Sequence, residues 1–354
     1  MKRRRLPSTS FLVAPNQGGL TLVELMVAMA ISLILVAGIA TLIAQQSSTR
    51  AELDNSNRQI ENGRYAASLL RDDIQHAGFY GHYSGGFTAL TALPDPCNTG
   101  TGLTPTALAS IDASLAFAVQ GYSSPAAGLS PCLPDANHIA GTDILVVRRL
   151  ETVDVLSTLN TAVAGQIYVQ TTADAKVTAA GPDPTPAAPT VYTLKQKDAV
   201  TPAEIRKYVQ HIYFLSPCNV YAAGSTTCDA SADGGQPIPT LKRLEMTVAS
   251  GLPSWNTVPL VEGIENMQFD YGVDSTGDGT PNTPFIQAPA VADWPNVMAV
   301  QVNLLARTVK ASAGYTDTKT YNLGLTSVGP LGGGYRRHVY TVVARAVNLS
   351  GRKE

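Results

Sequence analysis

The sequence predicts an α+β fold in which a long N-terminal helix packs against an antiparallel β-sheet domain with loop insertions. Three observations predict it: an uninterrupted apolar run at residues 20–44, apolar residues at helical spacing after that run, and short alternating segments in the second half of the chain. The chain has 354 residues, 44% of them hydrophobic, which is enough apolar material for one large domain or two small ones. The composition therefore excludes a disordered chain.

The apolar run from Leu20 to Ala44 is long enough to cross a membrane. About 25 helical residues rising ~1.5 Å each span a hydrocarbon core of roughly 30 Å. Four cations at residues 2–5 precede the run, and the positive-inside rule then places the N-terminus in the cytoplasm. An ordinary secretory signal does not fit, because the run is too long and the small pair Gly18-Gly19 lies on its near side.

Residues 45–78 predict a second, amphipathic half of the same helix. Charged residues separate apolar ones at helical spacing, and Gly78 is a plausible end of the helix. The apolar positions are Leu53, Ile60, Ala67, Leu70, Ile74 and Ala77. Two separate helices with a break near residues 45–49 remain an alternative that would change the geometry but not the function.

Residues 79–354 predict one globular, β-rich domain. Short apolar or alternating segments without intervening helices favour an antiparallel sheet against which the N-terminal helix packs. The predicted strands lie at residues 142–150, 208–216, 241–248, 267–273, 297–309 and 337–347. Residues of about 87–140 and 170–200 are rich in Thr, Ala, Gly and Pro, and we expect them to be surface-loop insertions.

Four cysteines lie beyond the apolar run, and none belongs to a C-x-x-C pair. In an exported domain, an even number of widely spaced cysteines indicates disulfides. We favour Cys97–Cys132 and Cys218–Cys228, because each pair brackets a loop rich in Pro, Gly or Thr. Four buried free thiols are the alternative, and the scattered single histidines disfavour a zinc site.

The best metal candidate is the segment DSTGDGTPN, residues 274–282. Asp274, Thr276 and Asp278 offer oxygens at alternate positions and Gly279 makes the turn, as in the first half of a calcium loop. The twelfth position is Phe285, where a calcium loop needs a bidentate acid. A plain Asp/Gly turn explains the same residues and is the favoured interpretation, and no other cofactor is predicted.

Signatures of enzymes and of nucleic-acid binding are absent from the sequence. There is no G-x-S-x-G elbow, H-E-x-x-H pair or Walker loop. No basic stretch interleaved with aromatic residues follows the N-terminal cations, so we expect no nucleic-acid partner. The sequence therefore predicts that the protein is not an enzyme.

The segment GGLTLVEL, residues 18–25, resembles the processing site of type IV prepilins. The resemblance implies that a prepilin peptidase cuts behind Gly19 and that Leu20 becomes the methylated N-terminal residue. Glu24 would be fifth in the mature chain and would pair with the terminal amine of Leu20, its own or that of a neighbouring subunit. Such pairing explains a carboxylate in an apolar run, because an unpaired charge in hydrocarbon is costly. The alternative is a plain signal anchor in which Glu24 lies among lipid headgroups.

A second segment, Gly63 to Gly85, resembles PilW-type minor pilins, as does the region from about Val261 to the C-terminus, where Tyr271, Gly272 and Asp274 match a family turn. The resemblance implies a pilin-like fold with four parts: a leader (1–19), a membrane and assembly half of the helix (20–44), an amphipathic half (45–78) and a periplasmic globular domain (79–354).

The implied function is a minor pilin that helps to prime assembly of the type IV pilus, and with it twitching motility and cell adhesion. Before assembly, such a protein is a single-pass protein of the bacterial inner membrane; after assembly it lies in the extracellular pilus. The implied partners are other minor pilins and the major pilin through the N-terminal helix, the prepilin peptidase and a tip adhesin. The alternatives are a minor pseudopilin of type II secretion and a membrane-anchored exported binding protein or hydrolase.

Overall fold

The computed structural model describes residues 19, 21–156, 162–181, 191–282 and 284–353. The chain divides into two compact units, Met1–Asp54 and Asn55–Glu354. The helices in the described residues are α1 (Leu22–His76), α2 (Pro105–Ser114), α3 (Ala232–Gly235) and α4 (Val347–Ser350). The strands are β1 (Val119–Tyr122), β2 (Ile144–Leu156), β3 (Ile167–Thr171), β4 (Lys176–Ala180), β5 (Ile205–Ser216), β6 (Thr240–Ala249), β7 (Leu252–Glu262), β8 (Ile264–Val273), β9 (Val297–Arg307), β10 (Tyr321–Leu323), β11 (Thr326–Val328) and β12 (Arg337–Arg345). The predicted α+β class, a long N-terminal helix with antiparallel sheets, is confirmed.

Helix α1 runs continuously from Leu22 to His76 and has no break at residues 45–49. Within the described part of the chain it is the one helix that is long and apolar enough to cross a membrane, by length and composition. The hydroxyl groups of Ser32 and Thr41 donate to the carbonyl oxygens of Ala28 and Gly38 one turn earlier. These polar side chains are therefore satisfied by the helix itself, as an apolar surrounding requires.

In the second unit, α1 buries a face that differs from the predicted one. Leu70, Ile74 and Ala77 are fully buried as expected, but Ile60 is 40% exposed. Its neighbour Gln59 takes the buried position instead; the other buried members of this face are Gly63, Ala66 and Asp73.

Two residues explain this rotation of the buried face. Gln59 donates from its side-chain amide to the carbonyl oxygens of Ala306 and Arg336, at 2.8 and 2.9 Å. Gly63 allows the ring of Tyr340 to lie directly against the helix, where a Cβ atom would overlap it. Hydrogen bonding and close approach therefore outweigh the apolar pattern at this end of the helix.

Two antiparallel sheets and a hairpin form the second unit. The larger sheet has the order β1-β2-β5-β3-β4, with β6 also paired to β5 and β7 paired to β6. The smaller sheet has the order β12-β9-β8, and β10 pairs only with β11. The main hydrophobic core joins α1, α2 and both sheets. Each predicted strand overlaps an observed one.

Several sequence predictions are wrong about the borders and number of the strands. The last strand ends at Arg345, not at residue 347, because α4 begins at Val347. Strands β1, β3, β4, β7, β10 and β11 were not predicted. Strand β7 was not predicted because it contains Pro253 and Pro259, which have no N–H group to donate to a neighbouring strand. It pairs only with β6 and is therefore an edge strand, where proline is tolerated.

The prediction that residues 87–140 are a surface loop is also wrong. The segment contains α2 and β1, and Ile111, Leu115 and Phe117 belong to the main core. Residues 170–200 are only partly a loop, because β4 pairs with β3 within them; residues 182–190 lie outside the described part. The sequence did not predict α2, β1 and β4, because these elements consist mainly of small and polar residues and contain few large apolar side chains.

Candidate assembly site

The N-terminal end of α1 carries the residues that the processing motif predicts. Gly19 is exposed, and Leu20 lies outside the described residues. The carboxylate of Glu24 accepts from the backbone N–H and the hydroxyl group of Thr21 through Oε2, both at 2.9 Å. In return, the Glu24 N–H donates to the Thr21 hydroxyl at 3.3 Å. This reciprocal pair is a capping box, which satisfies free N–H groups at the start of a helix.

The capping box gives Glu24 a role that the sequence argument overlooked. The signal was present, since threonine and glutamate stand three positions apart before an apolar run. The second carboxylate oxygen, Oε1, accepts no hydrogen bond from any residue that the structure describes. Glu24 can therefore close its own helix end and still offer an oxygen to a cation. The pairing of Glu24 with a terminal amine remains a prediction.

A buried ionic cluster joins the C-terminal part of α1 to the larger sheet. One oxygen of Asp73 accepts from Arg149 Nε on β2 at 3.1 Å. The other oxygen lies 2.6 Å from Nδ1 of His211 and accepts from the hydroxyl group of Tyr213 at 2.8 Å, both on β5. Each of these side chains is largely buried. The cluster therefore fixes the helix on the sheet by polar contacts as well as by apolar packing.

The cluster also sets which protonation state Asp73 holds. Burial alone would raise the pKa of Asp73, but the charges of His211 and Arg149 and the hydrogen bonds from His211 and Tyr213 hold it well below its ordinary value. Burial and the neighbouring Asp73 raise the pKa of Tyr213 well above its ordinary value. At neutral pH the pair is therefore an aspartate that accepts from a neutral tyrosine.

Arg148, next to Arg149 on β2, is fully buried on the opposite face of the strand. Its Nε donates to the side-chain oxygen of Gln210, and its Nη1 donates to that of Gln120. The amide groups of these glutamines in turn donate to the carbonyl oxygens of Pro96 and Pro94. Arg148 thus orients two glutamines that hold the segment leading to Cys97. The sequence pattern indicated only a buried strand here.

Both favoured disulfides, Cys97–Cys132 and Cys218–Cys228, are present in the structure. The first closes the segment that contains α2 and β1, and Trp255 on β7 donates to the carbonyl oxygen of Cys97 at 3.2 Å. The second joins two cysteines ten positions apart, after β5. Both bonds therefore fasten connecting segments to the larger sheet.

The loop at residues 274–280 has the geometry of a turn. Asp274 is buried, and its carboxylate accepts from the N–H groups of Thr276, Gly277 and Gly279. The ammonium group of Lys353 lies 3.3 Å from the same carboxylate.

These contacts favour the turn interpretation over a calcium loop. Asp278 accepts from the N–H and hydroxyl groups of Thr280 within its own turn. In the described residues, no group of three or more His, Cys, Asp or Glu side chains could hold a metal ion. A lysine ammonium contributes the positive charge at Asp274.

Two family profiles match parts of the chain. Residues 227–348 match PilW, the type IV pilus-assembly protein W, and residues 14–40 match the prokaryotic N-terminal methylation motif. The first match runs from before β6 to α4, and the second covers the start of α1. The segment from Gly63 to Gly85 lies outside both matches, so its resemblance to this family stays a prediction.

Among solved structures, a type IV-like pilin from Thermus thermophilus is similar at 17% sequence identity. The similarity covers 40% of this chain and 79% of that chain, with a TM-score of 0.16. No curated protein matches the sequence.

Proposed function

We propose that this chain, a type IV pilin-like protein with a PilW region and a prepilin methylation motif, is a minor pilin that helps to prime assembly of the type IV pilus. The observation that carries the proposal is the presence of both matches in one chain. The methylation motif alone is shared by every pilin and pseudopilin, whereas the PilW region favours a protein of the pilus over one of type II secretion. Proteins of this family are structural rather than catalytic.

The proposed path begins with the uncut chain anchored in the inner membrane by the apolar part of α1. The peptidase removes residues 1–19, and Leu20 becomes the methylated N-terminus. Glu24 then pairs with the amine of Leu20 in a neighbouring subunit while its other oxygen closes the capping box with Thr21. The proposed partners are other minor pilins, the major pilin and a tip adhesin.

The first test is the mass of the N-terminal peptide from the protein isolated from its own bacterium. We expect a peptide that begins with N-methyl-Leu20. An intact Met1 terminus, or a cut beyond Ala44, would contradict the proposal. A cut behind Gly19 leaves the choice between pilus and secretion system, which is decided by whether deletion of the gene abolishes pili or protein secretion.

The second test separates docking from processing. We expect Glu24→Ala to be cut normally yet to be missing from sheared pili, because the carboxylate that should meet the incoming amine is gone. Glu61→Ala, which removes an exposed carboxylate from the same helix outside the apolar run, is the control and should enter pili normally. Normal incorporation of Glu24→Ala would show that this carboxylate does not dock subunits.

A further inference from the structure

Strand β12 forms one edge of the smaller sheet, and its hydrogen bonds to β9 show which of its backbone groups face outward. Thr308 N–H donates to the carbonyl oxygen of Arg336 just before the strand, and Ala346 N–H donates to that of Met298 just after it. The register between these two points has no shift. Bonded pairs alternate with non-bonded pairs in an antiparallel ladder. The even-numbered residues of β12 therefore bond to β9, and the odd-numbered ones point their N–H and carbonyl groups away from it.

The outward backbone groups in the middle of β12 are open to solvent. Within the described part of the chain, the N–H and carbonyl groups of Val339, Thr341 and Val343 have no hydrogen-bond partner. Thr341 is exposed, Val343 is 52% exposed and Val339 is half-buried. An extended polypeptide can therefore reach a row of alternating donors and acceptors along this edge.

Two other edge strands of similar length are closed to such an approach. On the open side of β8, Asp143 accepts from the N–H of Phe269 through its carboxylate, and its own N–H donates to the carbonyl oxygen of Met267. Strand β7 contains Pro253 and Pro259, which lack N–H groups and interrupt its row of donors. Strand β12 contains no proline. Of these three edges, only that of β12 offers an unbroken row.

Antiparallel pairing of β12 with a second copy of this chain conflicts with the anchoring proposed above. Helix α1 runs beside β12 in the same direction, because Gln59 donates to the carbonyl oxygen of Arg336 before the strand and Gln75 accepts from Asn348 after it. Two antiparallel β12 strands are related by a two-fold axis normal to the sheet. Their α1 helices would then point in opposite directions, which two chains anchored with one orientation in one membrane cannot do.

We propose that the free edge of β12 binds an extended segment of another protein, which adds an antiparallel fourth strand to this three-stranded sheet. In such binding, backbone hydrogen bonds supply affinity and alternate side chains supply specificity. Segment residues opposite Val339, Thr341 and Val343 lie on the same face as these side chains, where β-branched pairs are favourable. The segment therefore carries valine, isoleucine or threonine at alternate positions. The proposal goes beyond the proposed pilin function.

The probe is the peptide fluorescein-Glu-Thr-Val-Thr-Val-Thr-Val-amide, N-methylated at its threonines. The methyl groups block one edge of the peptide, so it cannot stack into sheets of its own, while the other edge stays free for β12. The control peptide is N-methylated at every residue. Fluorescence anisotropy with the full chain in detergent measures binding. We expect a dissociation constant on the order of 100 μM for the probe and no measurable binding of the control.

Val343→Pro is the test variant, because it removes an outward N–H group and leaves the bonds of β12 to β9 in place. Val343→Thr keeps both the N–H group and the β-branched side chain and is the matched control. We expect Val343→Pro to weaken binding of the probe about tenfold and Val343→Thr to change it by less than about twofold. Circular dichroism confirms that each variant is folded.

Hydrogen exchange of the wild type provides a second measurement, which needs no variant to fold. We expect the amides of Thr341 and Val343 to exchange more slowly when the probe is bound, because their N–H groups then have acceptors. The fully methylated peptide retains its carbonyl oxygens but cannot donate, so it should give no such protection.

Four results overturn the proposal. These are no binding of the probe, equal binding of the probe and the control peptide, equal binding to the wild type and folded Val343→Pro, and unchanged exchange at Thr341 and Val343 in the bound state. Self-association of the wild type that Val343→Pro abolishes, measured by sedimentation, would also overturn it and assign the edge to a second copy. Processing at Gly19 is not measured in these experiments, so their failure leaves the pilin proposal intact.

Discussion

The imidazole Nδ1 of His211 lies 2.6 Å from the carboxylate of Asp73, beneath the C-terminal part of the long helix. Asp73 is the second of two adjacent acids near the end of α1. The first, Asp72, is 59% exposed and pairs only with its neighbour Arg71, at 3.4 Å. One acid of the pair therefore connects the helix to the sheet, while the other faces solvent.

We expect Asp73→Asn to lower the free energy of unfolding by about 3–5 kcal/mol, because it leaves Arg149 and His211 without their buried counter-charge. Asp72→Asn is the matched control and should change it by less than about 1 kcal/mol. Urea unfolding of the full chain in detergent, followed by tyrosine and tryptophan fluorescence, measures both. Equal effects of the two variants would rule out a special role for the buried acid.

Asp73 should also make the stability of the fold fall at acidic pH. Its pKa is lower in the folded chain than in the unfolded one, so its contribution is present above its ordinary pKa of 3.8 and is lost as the pH falls below that value. The urea midpoint of the wild type should therefore drop more steeply than that of Asp73→Asn between pH 5 and pH 3. Parallel curves would contradict this account.

Asp143 should make the stability of the fold depend on pH in the opposite direction. This residue precedes β2, and its two oxygens accept from the N–H groups of Ser124 and of Phe269 on β8, both at 2.7 Å. Burial, reinforced by the nearby Asp270, raises the pKa of Asp143 from 3.8 to about 6 in spite of these hydrogen bonds. Its stabilising contribution is present below pH 3.8 and is lost as the pH rises through about 6.

We therefore expect the urea midpoint of the wild type to fall between pH 4.5 and pH 7 relative to that of Asp143→Asn. The expected difference in unfolding free energy across this range is on the order of 2 kcal/mol. Because Asn cannot accept both N–H groups equally well, the comparison uses the slope with pH and not the absolute stability. An unchanged slope would show that Asp143 does not titrate in this range.

Gly78 lies just beyond the end of α1, where we expect a side chain to destabilise the fold. Its φ of +71° is a conformation that favours glycine, and a Cβ atom would lie 2.5 Å from the side chain of Leu349. We expect Gly78→Ala to cost about 2 kcal/mol. Gly141→Ala, at a φ of +79° with nothing within 4 Å, should cost about 1 kcal/mol from backbone strain alone.

The difference between these two glycine variants measures the contact with Leu349. Adding Leu349→Ala should make the Gly78→Ala substitution cost no more than the one at Gly141. Thermal unfolding of the wild type, the three single variants and the double variant provides the comparison. If Gly78→Ala costs the same with and without Leu349, the close packing described here is not what requires glycine.

We expect calcium to leave the stability of the acidic loop at residues 274–280 unchanged. Asp274 already accepts three backbone hydrogen bonds and contacts Lys353, so its removal should destabilise the turn by about 1–3 kcal/mol. Removal of the exposed Asp278 should cost less than about 0.5 kcal/mol. The thermal midpoint of the wild type should be equal in millimolar calcium and in EDTA. A calcium-dependent rise that Asp274→Ala abolishes would restore the metal interpretation.

The sequence predicted elements whose pattern is set by burial of apolar side chains. In β9, Met298, Val300 and Val302 alternate as a strand with one core face requires, and all are fully buried. It could not predict Arg148 as a core residue, because a buried arginine depends on Gln120 and Gln210, which are distant in sequence. Contacts of this kind are set by the tertiary structure and leave no periodic pattern.

The same reasoning applies to the candidate site. The motif around Gly19 and Glu24 is local, so it could be found from neighbouring residues alone. The ionic cluster was not predicted, because Asp73 on α1, Arg149 on β2 and His211 on β5 are brought together only in the folded chain.

Asn348 donates from its side-chain amide to the carbonyl oxygens of Gln75 and Ala77, at 3.2 and 3.3 Å. The groups at the end of the first helix thus find their partners 271 residues later in the chain. A nascent chain emerging from the ribosome has made α1 long before it makes the residues that complete the end of that helix. If the chain is exported from its N-terminal side, as the proposed function requires, the globular unit reaches its final structure only when nearly all of it has crossed the membrane. Until then, the exposed core faces of α1 and β9 would need protection from aggregation.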